Sequence, residues 1–393
     1  MKVLIVSVAL AFYLLVPALV VKLCRKVSFF GKAGAILTLY FLGVLVANLF
    51  IFRIPGLGET VYPLQDTLSS LTIPLAIPMI LFACDFRRWP VGKALVSLVV
   101  GLVSVVTVSA AGYFLFRHHL GGQGASIAGM AVGVYTGGTP NLAAIKMMLG
   151  VDEETYVLMN TFDMAVSFLY LVFLLSVGIR LVRRLLPAYR DRGGAEGTVP
   201  GTDTHAMARG EDQLYRDIFT KEHFLPTLAS LGLAVVITGI SLGLSFLLSG
   251  KIDMIILILG LTTLAIAASF LPRVRSWSKS YDAGMYLVLV FSLVVSSMVD
   301  LGSMDWQAGW YLLLYIAFVI FLSLGLQLLL GKLLKVDADT TVITSVAMIN
   351  SPLFVPMIAD AMKNRKVILT GITVGIIGYA VGNYLGVLLA HIL

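Results

Sequence analysis

The sequence predicts an all-α polytopic membrane protein of about twelve transmembrane helices (eleven to thirteen), arranged as two related halves. Three observations predict it. Of the 393 residues, 59% are hydrophobic and only 12% charged, with a mean hydropathy of +0.97. A soluble domain is about 45–50% apolar and about 25% charged, so almost any soluble enzyme, a coiled coil and a disordered chain are excluded. The apolar residues form continuous runs rather than alternating, which excludes an outer-membrane barrel. Finally, two runs are broken in mid-span, at matching places in the two halves.

A helical span needs roughly 20 apolar residues. Six runs, at 3–23, 34–51, 63–84, 94–116, 124–149 and 156–181, make the first half. Six more, at 224–248, 252–271, 281–299, 307–331, 339–359 and 367–391, make the second. The first run is long and is followed by basic residues, so it reads as a span rather than a signal peptide. Between the halves lies one long polar stretch with Gly193-Gly194 and Pro200-Gly201, which reads as a linker. The organisation is an N-terminal repeat at 1–181, a linker at 182–223 and a C-terminal repeat at 224–393. The breaks fall near 136–141 and 350–352. Aligning Pro140 with Pro352 gives an offset of 212, which also lays segment six on segment twelve.

The net charge is +7. The bases flank apolar runs, so they report topology, with positive loops in the cytoplasm. No basic stripe suits nucleic acid, and no nucleic-acid partner is expected. Cys24 and Cys84 are too few for a disulfide scaffold or a cysteine metal site. Lys22, Arg25, Lys26 and Lys32 put the first loop inside, and Arg87, Arg88 and Lys93 the third. Arg273, Arg275 and Lys279 put the eighth loop inside, and Lys332 and Lys335 the tenth. Segment five then starts outside and segment eleven inside, which is an inverted repeat. Counting each segment as one crossing nevertheless puts the Arg-rich linker outside in one half's frame and inside in the other's. One crossing is therefore miscounted.

The chemistry concentrates at the two breaks, Thr136-Gly137-Gly138-Thr139-Pro140-Asn141 and Asn350-Ser351-Pro352. Proline breaks a helix, and glycine permits backbone angles that other residues resist. Broken backbone survives in a bilayer only where it is buried in protein or lines a water-filled cavity. Each break also exposes half-helix ends of opposite partial charge. Thr136, Thr139, Asn141, Asn350 and Ser351 supply oxygen donors suited to sodium. Asp163, one turn into segment six, is an intramembrane carboxylate of the kind that serves an ion path, and Asn160 shares its helix face. Gly137, Gly138, Pro140 and Pro352 at the breaks, with Tyr379 and Asn383 on segment twelve, are the expected solute contacts. No cofactor is expected, and no metal beyond a sodium ion. The bland alternatives are two non-functional kinks and an Asp163 solvated at the interface. Lys146 is expected to snorkel to the cytoplasm, with pairing to a carboxylate as the alternative, and Asp66 and Asp282 to sit at span ends. Trp89, Trp277, Trp306 and Trp310 read as an aromatic belt.

Several of these motifs resemble a known family. They are Leu75-Ala76-Ile77-Pro78-Met79-Ile80-Leu81-Phe82-Ala83-Cys84-Asp85-Phe86-Arg87-Arg88-Trp89, then Tyr135 to Asn141, then Val374 to Gly386. They resemble the bacterial YjcL-like integral membrane family, a domain of unknown function numbered 819, through most of the chain. That family looks related to the cation–proton antiporters and the bile-acid or anion transporters. The resemblance implies inverted repeats, a core and a panel, and crossed discontinuous helices. It implies that Asp163 holds the ion in an antiporter-like site. It implies that Thr136, Asn141, Asn350 and Ser351 bind sodium in a bile-acid-transporter-like site. Asn350-Ser351-Pro352 departs from the Gly-Gly-Pro expected at the second break.

The expected function is secondary active transport of a small, anionic organic solute, coupled to sodium or protons by alternating access. The expected location is the bacterial inner membrane, in contact with the lipid bilayer. Segments three to six and nine to twelve would form the core, moving against a panel of segments one, two, seven and eight. That panel would also supply a homodimer interface. A cation–proton antiporter without an organic substrate is the alternative. A membrane-embedded enzyme or a scaffold is a remote one, because the spans carry few ionisable groups.

Overall fold

The structure, a computed structural model, describes residues 2–27, 34–84, 92–189, 221–277, 279–302 and 306–393. Trp89 and most of the linker lie outside them. The described residues are helical, with no strand among them. The first half holds α1 (Lys2–Lys26), α2 (Ala35–Val46), α3 (Leu57–Phe82), α4 (Lys93–Phe116), α5 (Gly124–Leu149) and α6 (Glu153–Phe173). α6 continues through a π-helical turn at Leu174–Gly178 into a further helix that ends at Leu185, beyond the boundary at 181. The second half holds α7 (Lys221–Ser249), α8 (Met254–Ser269), α9 (Ser280–Ser296), α10 (Trp306–Leu333), α11 (Ala338–Ile349), α12 (Val355–Ala361) and α13 (Ile368–Ile392). Among the described residues, seven helices are long and apolar enough to cross a membrane, and shorter apolar helices accompany them.

Packing fixes the direction of each element. The Ser280 hydroxyl donates to the Met79 carbonyl, and Gln65 Nε2 donates to Ser297 Oγ at 2.9 Å, so α9 runs antiparallel to α3. His119 stacks on Tyr311 and Phe116 packs edge-on against Tyr315, so α10 runs antiparallel to α4. Tyr170 and Phe173 both meet Phe321, while Gly309 faces Leu158, so α6 runs parallel to α10. Ser97 Oγ donates to Thr344 Oγ1 at 2.9 Å, and Gly101 faces Met348, so α11 runs parallel to α4.

These directions decide what the two breaks do. α4 ends, and α6 begins, at the same end of the bundle. The chain between them, α5, therefore enters and leaves at that end. Its local contacts agree: a Cβ on Gly386 would overlap both the Gly129 carbonyl and the Ile145 side chain. In a straight helix, residues 129 and 145 would stand about 24 Å apart. α5 is thus a hairpin that reverses at Gly138, whose φ of 68° and ψ of −167° are not helical. The second break reverses likewise. Asn364 Nδ2, beyond α12, donates to Asp339 Oδ2 at the start of α11 at 2.8 Å. α11 and α12 are the arms of a second hairpin, entering from the other end.

The expectation of two helices crossing at their breaks is corrected here. The breaks are reversals, and the tips meet from opposite ends. The correction also settles the conflict of charges. With both hairpins returning, the ends of α1, α6 and α10 and the starts of α4 and α9 fall on one end of the bundle. Lys22, Arg25, Lys26, Lys93, Arg180, Arg183, Arg184, Arg273, Arg275, Lys279, Lys332, Lys335, Lys363, Arg365 and Lys366 all lie there. By the positive-inside rule that end is cytoplasmic.

Candidate functional site

The hairpins are held by α13. Along its length Gly378, Gly382 and Gly386 recur every fourth residue; Gly378 faces Gly137 and Gly386 faces Gly129 of the first arm, and Gly382 lies against Thr136 and Asn141. A Cβ at Gly378 would overlap the Thr136 carbonyl oxygen, and one at Gly382 the amide of Asn141. Small residues at this spacing let backbones approach closely, the main source of helix affinity inside a bilayer. The sequence carries this signal plainly, although Gly129, Gly133, Gly378, Gly382 and Gly386 were not among the expected site residues.

The first tip is tied down by side chains. Thr136 Oγ1 donates to the Val132 carbonyl at 2.7 Å. Asn141 Nδ2 donates to the carbonyls of Tyr379 at 3.2 Å and Gly378 at 3.4 Å. Pro140 is buried, and Thr139 is half-buried at the tip. At the second tip, Asn350 Nδ2 donates to the Ser167 carbonyl of α6 at 2.9 Å. Ser351 follows at φ 123°, a region L-residues rarely adopt. Pro352 packs on Gly375, where a Cβ would overlap the proline ring.

Tyr379 joins the two tips. Its carbonyl accepts from Asn141, its hydroxyl reaches Ser351 and Tyr281, and its ring edge lies beside Gly138. One turn further on, Asn383 is fully buried, and neither atom of its amide has a hydrogen-bond partner.

Asp163 sits on α6, whose start is capped by Asp152 accepting from the Thr155 backbone amide at 2.7 Å. It is 7% exposed, so the interfacial alternative does not hold. Ser167 Oγ donates to Asp163 Oδ1 at 3.1 Å. Because Asn350 holds the Ser167 carbonyl, the second tip reaches the carboxylate through one residue. Asn160, one turn earlier, donates to Tyr40 Oη at 2.6 Å, and Tyr40 donates to Tyr156 Oη at 3.1 Å. The Tyr135 hydroxyl faces Asp163 without a well-formed hydrogen bond. Asn160 Oδ1, Asn350 Oδ1 and the Tyr135 hydroxyl are all buried with no partner. A buried polar oxygen left without a partner is costly, so each of these calls for something that satisfies it. Tyr135, Ser167 and Tyr40 were not legible as site residues, because nothing in their spacing marks them.

One ionisable residue differs from expectation, and a second is more buried than expected. Lys146 does not snorkel to the cytoplasm. It lies at the opposite end and pairs with Glu153 at 2.7 Å across the Gly150 turn. Asp282 sits at the span end, in the first turn of α9, and is fully buried there, 3.0 Å from Lys279.

Fold and site together define a multi-pass helical membrane protein with two opposed broken helices beside a buried carboxylate. The chain belongs to the family described as "Protein of unknown function (DUF819)", whose model matches residues 7–393. It is 24% identical over 353 residues to "Uncharacterized membrane protein YjcL" of Bacillus subtilis (strain 168), covering 88% of each chain.

Proposed function

We propose that this protein is a secondary active transporter, moving a small, anionic organic solute by alternating access with sodium as the coupling ion. The meeting of the two hairpin tips at Tyr379, one residue's reach from the buried Asp163, carries the reading. The second arm of the first hairpin begins at its tip and presents a helix N-terminus, which favours an anionic group. The first arms end there, and their C-terminal carbonyls favour a cation. Asp163, Asn160 and Asn350 would hold sodium. Thr139, Ser351, Tyr379 and Asn383, with the backbone of Gly137 and Gly138, would face the solute.

The architecture behind this reading is, among the described residues, ten crossings and two re-entrant hairpins, read as inverted repeats of α1–α6 and α7–α13. The opposed directions of α3 and α9, and of α4 and α10, support the inversion. α3 and α9 pack on each other and on α1, α2, α7 and α8. That draws the stationary frame as α1–α3 with α7–α9, one element further in than the sequence suggested. The moving body is α4–α6 with α10–α13, in a bacterial inner membrane. A second copy would dock on the frame.

The test is thermal stability of purified protein in sodium and in potassium. A ligand that binds only the folded state stabilises it, by about 2.7 kcal/mol at a hundredfold excess over Kd. Sodium is expected to raise the melting temperature of the wild type and not of Asp163→Asn. Sodium without effect at any pH would end the sodium reading and favour proton coupling. Proteoliposomes that accumulate no organic anion under either gradient would end the transporter reading itself.

A further inference from the structure

A second site lies at the cytoplasmic end, away from the hairpin tips. The end of α6 and the returning arm of the second hairpin enclose a cavity of about 370 Å³. Leu175, Ile179, Ala361 and Met362 form its wall, and Arg180, Arg183 and Lys363 its rim. Among the described residues no carboxylate lines it. The acids nearby are already committed. Asp339 accepts from Arg183 at 2.8 Å and 3.0 Å and from Asn364 at 2.8 Å, and Asp360 accepts from Arg365 at 2.7 Å. Arg183 Nη2 also donates to the Met362 carbonyl at 2.7 Å, which fixes the rim in place. Among the described residues no carboxylate pairs with Arg180 or Lys363.

The wall explains what kind of anion fits. The π-helical turn at Leu174–Gly178 ends where the cavity begins, and Leu175 belongs both to the cavity wall and to the exposed apolar face of α6. That face also carries Phe168, Val172 and Leu185, and is open to the bilayer. A ligand here has its charge at the membrane surface and its apolar part along the helix. A free anion would use the rim and leave the wall empty.

We propose that this cavity binds an anionic phospholipid, its phosphate between Arg180, Arg183 and Lys363 and one acyl chain along Leu175. Basic pockets between helices on the cytoplasmic side are suited to such head groups. The bound lipid bridges α6 and α12, which belong to opposite halves of the chain.

The experiment compares delipidated protein with added phosphatidylglycerol, phosphatidylcholine or glycerol phosphate, read by melting temperature and by native mass spectrometry. The variant is Arg180→Gln with Lys363→Gln. Arg183 is left intact because it holds Asp339. The control is Arg53→Gln with Lys251→Gln, at the other end of the bundle. Phosphatidylglycerol is expected to raise the melting temperature of the wild type and the control, and phosphatidylcholine not to. The double variant, folded and with an unshifted melting temperature before lipid is added, is expected to bind about thirtyfold more weakly, as two surface charges of about 1 kcal/mol each imply. Equal binding of phosphatidylglycerol by the double variant and the wild type would overturn the site. Equal stabilisation by glycerol phosphate would overturn the lipid and make the ligand a free anion.

Discussion

Asn141 and Asn350 make the same contact from opposite directions. Each donates its side-chain amide to a backbone carbonyl on the last helix of the other half, Asn141 to Tyr379 and Asn350 to Ser167. The acceptors are themselves separated by 212 residues, the offset that superposes the two prolines. Each half thus pins the other's broken helix. Replacing either asparagine with alanine removes a buried hydrogen bond from a carbonyl that keeps its own helix's N–H, at a cost of about 0.5–1.5 kcal/mol. Asn141→Ala and Asn350→Ala are each expected to lower the free energy of unfolding by that amount, and Asn→Asp at either position to be no better, because an ionised carboxylate cannot donate. A double variant no worse than either single one would show that the two contacts do not act as independent pins.

The reversal of α5 makes a prediction about sidedness. Gly122 precedes the hairpin and Glu154 follows it, and both belong to the external face. Lys332 and Lys366 flank the second hairpin and belong to the cytoplasmic face. In a background with Cys24→Ser and Cys84→Ala, single cysteines at 122 and 154 are expected to react with an impermeant maleimide on intact cells. Cysteines at 332 and 366 are expected to react only after lysis. A cysteine at 154 protected in intact cells would mean that α5 crosses.

The glycine seam gives the sharpest packing test. A methyl at Gly378 meets the Thr136 backbone carbonyl, which cannot rotate away, whereas one at Gly232 on α7 meets nothing within 4 Å. Overpacking costs about 1–3 kcal/mol, while alanine for glycine in an open helix gains about 0.5–1 kcal/mol. Gly378→Ala is expected to destabilise, and Gly232→Ala to be neutral or stabilising. Equal melting temperatures for the two would refute the close approach of α5 and α13.

The breaks and Asp163 were legible in the sequence because proline, glycine and an intramembrane carboxylate are costly in a bilayer unless used. The reversal was not legible. Gly138 permits a kink and a hairpin equally, and only the direction of α6 relative to α4 decides between them. The sequence did contain the symptom, since the basic residues of the linker contradicted a count in which segment five crossed. Lys146 was expected at the cytoplasmic end because segment five was counted as a crossing; the reversal at Gly138 returns its arm to the other end, where Glu153 pairs with it. The tyrosines at 40, 135 and 156 look like any aromatic core residues until packing brings them to Asn160 and Asp163.

Ser351 separates stability from function. The second tip holds it at φ 123°, a conformation that costs a non-glycine residue about 1–3 kcal/mol. Such strain persists where the side chain is needed, and the Ser351 hydroxyl reaches Tyr379, which joins the two tips. Ser351→Gly removes the strain and the hydroxyl together. The variant is expected to melt at or above the wild-type temperature, yet to lose solute-dependent stabilisation and uptake in proteoliposomes. Ser351→Ala keeps the strain, loses the hydroxyl, and is expected to be both less stable than Ser351→Gly and equally inactive. Full uptake by Ser351→Gly would show that the backbone turn alone serves the site, and that the hydroxyl takes no part in recognising the solute.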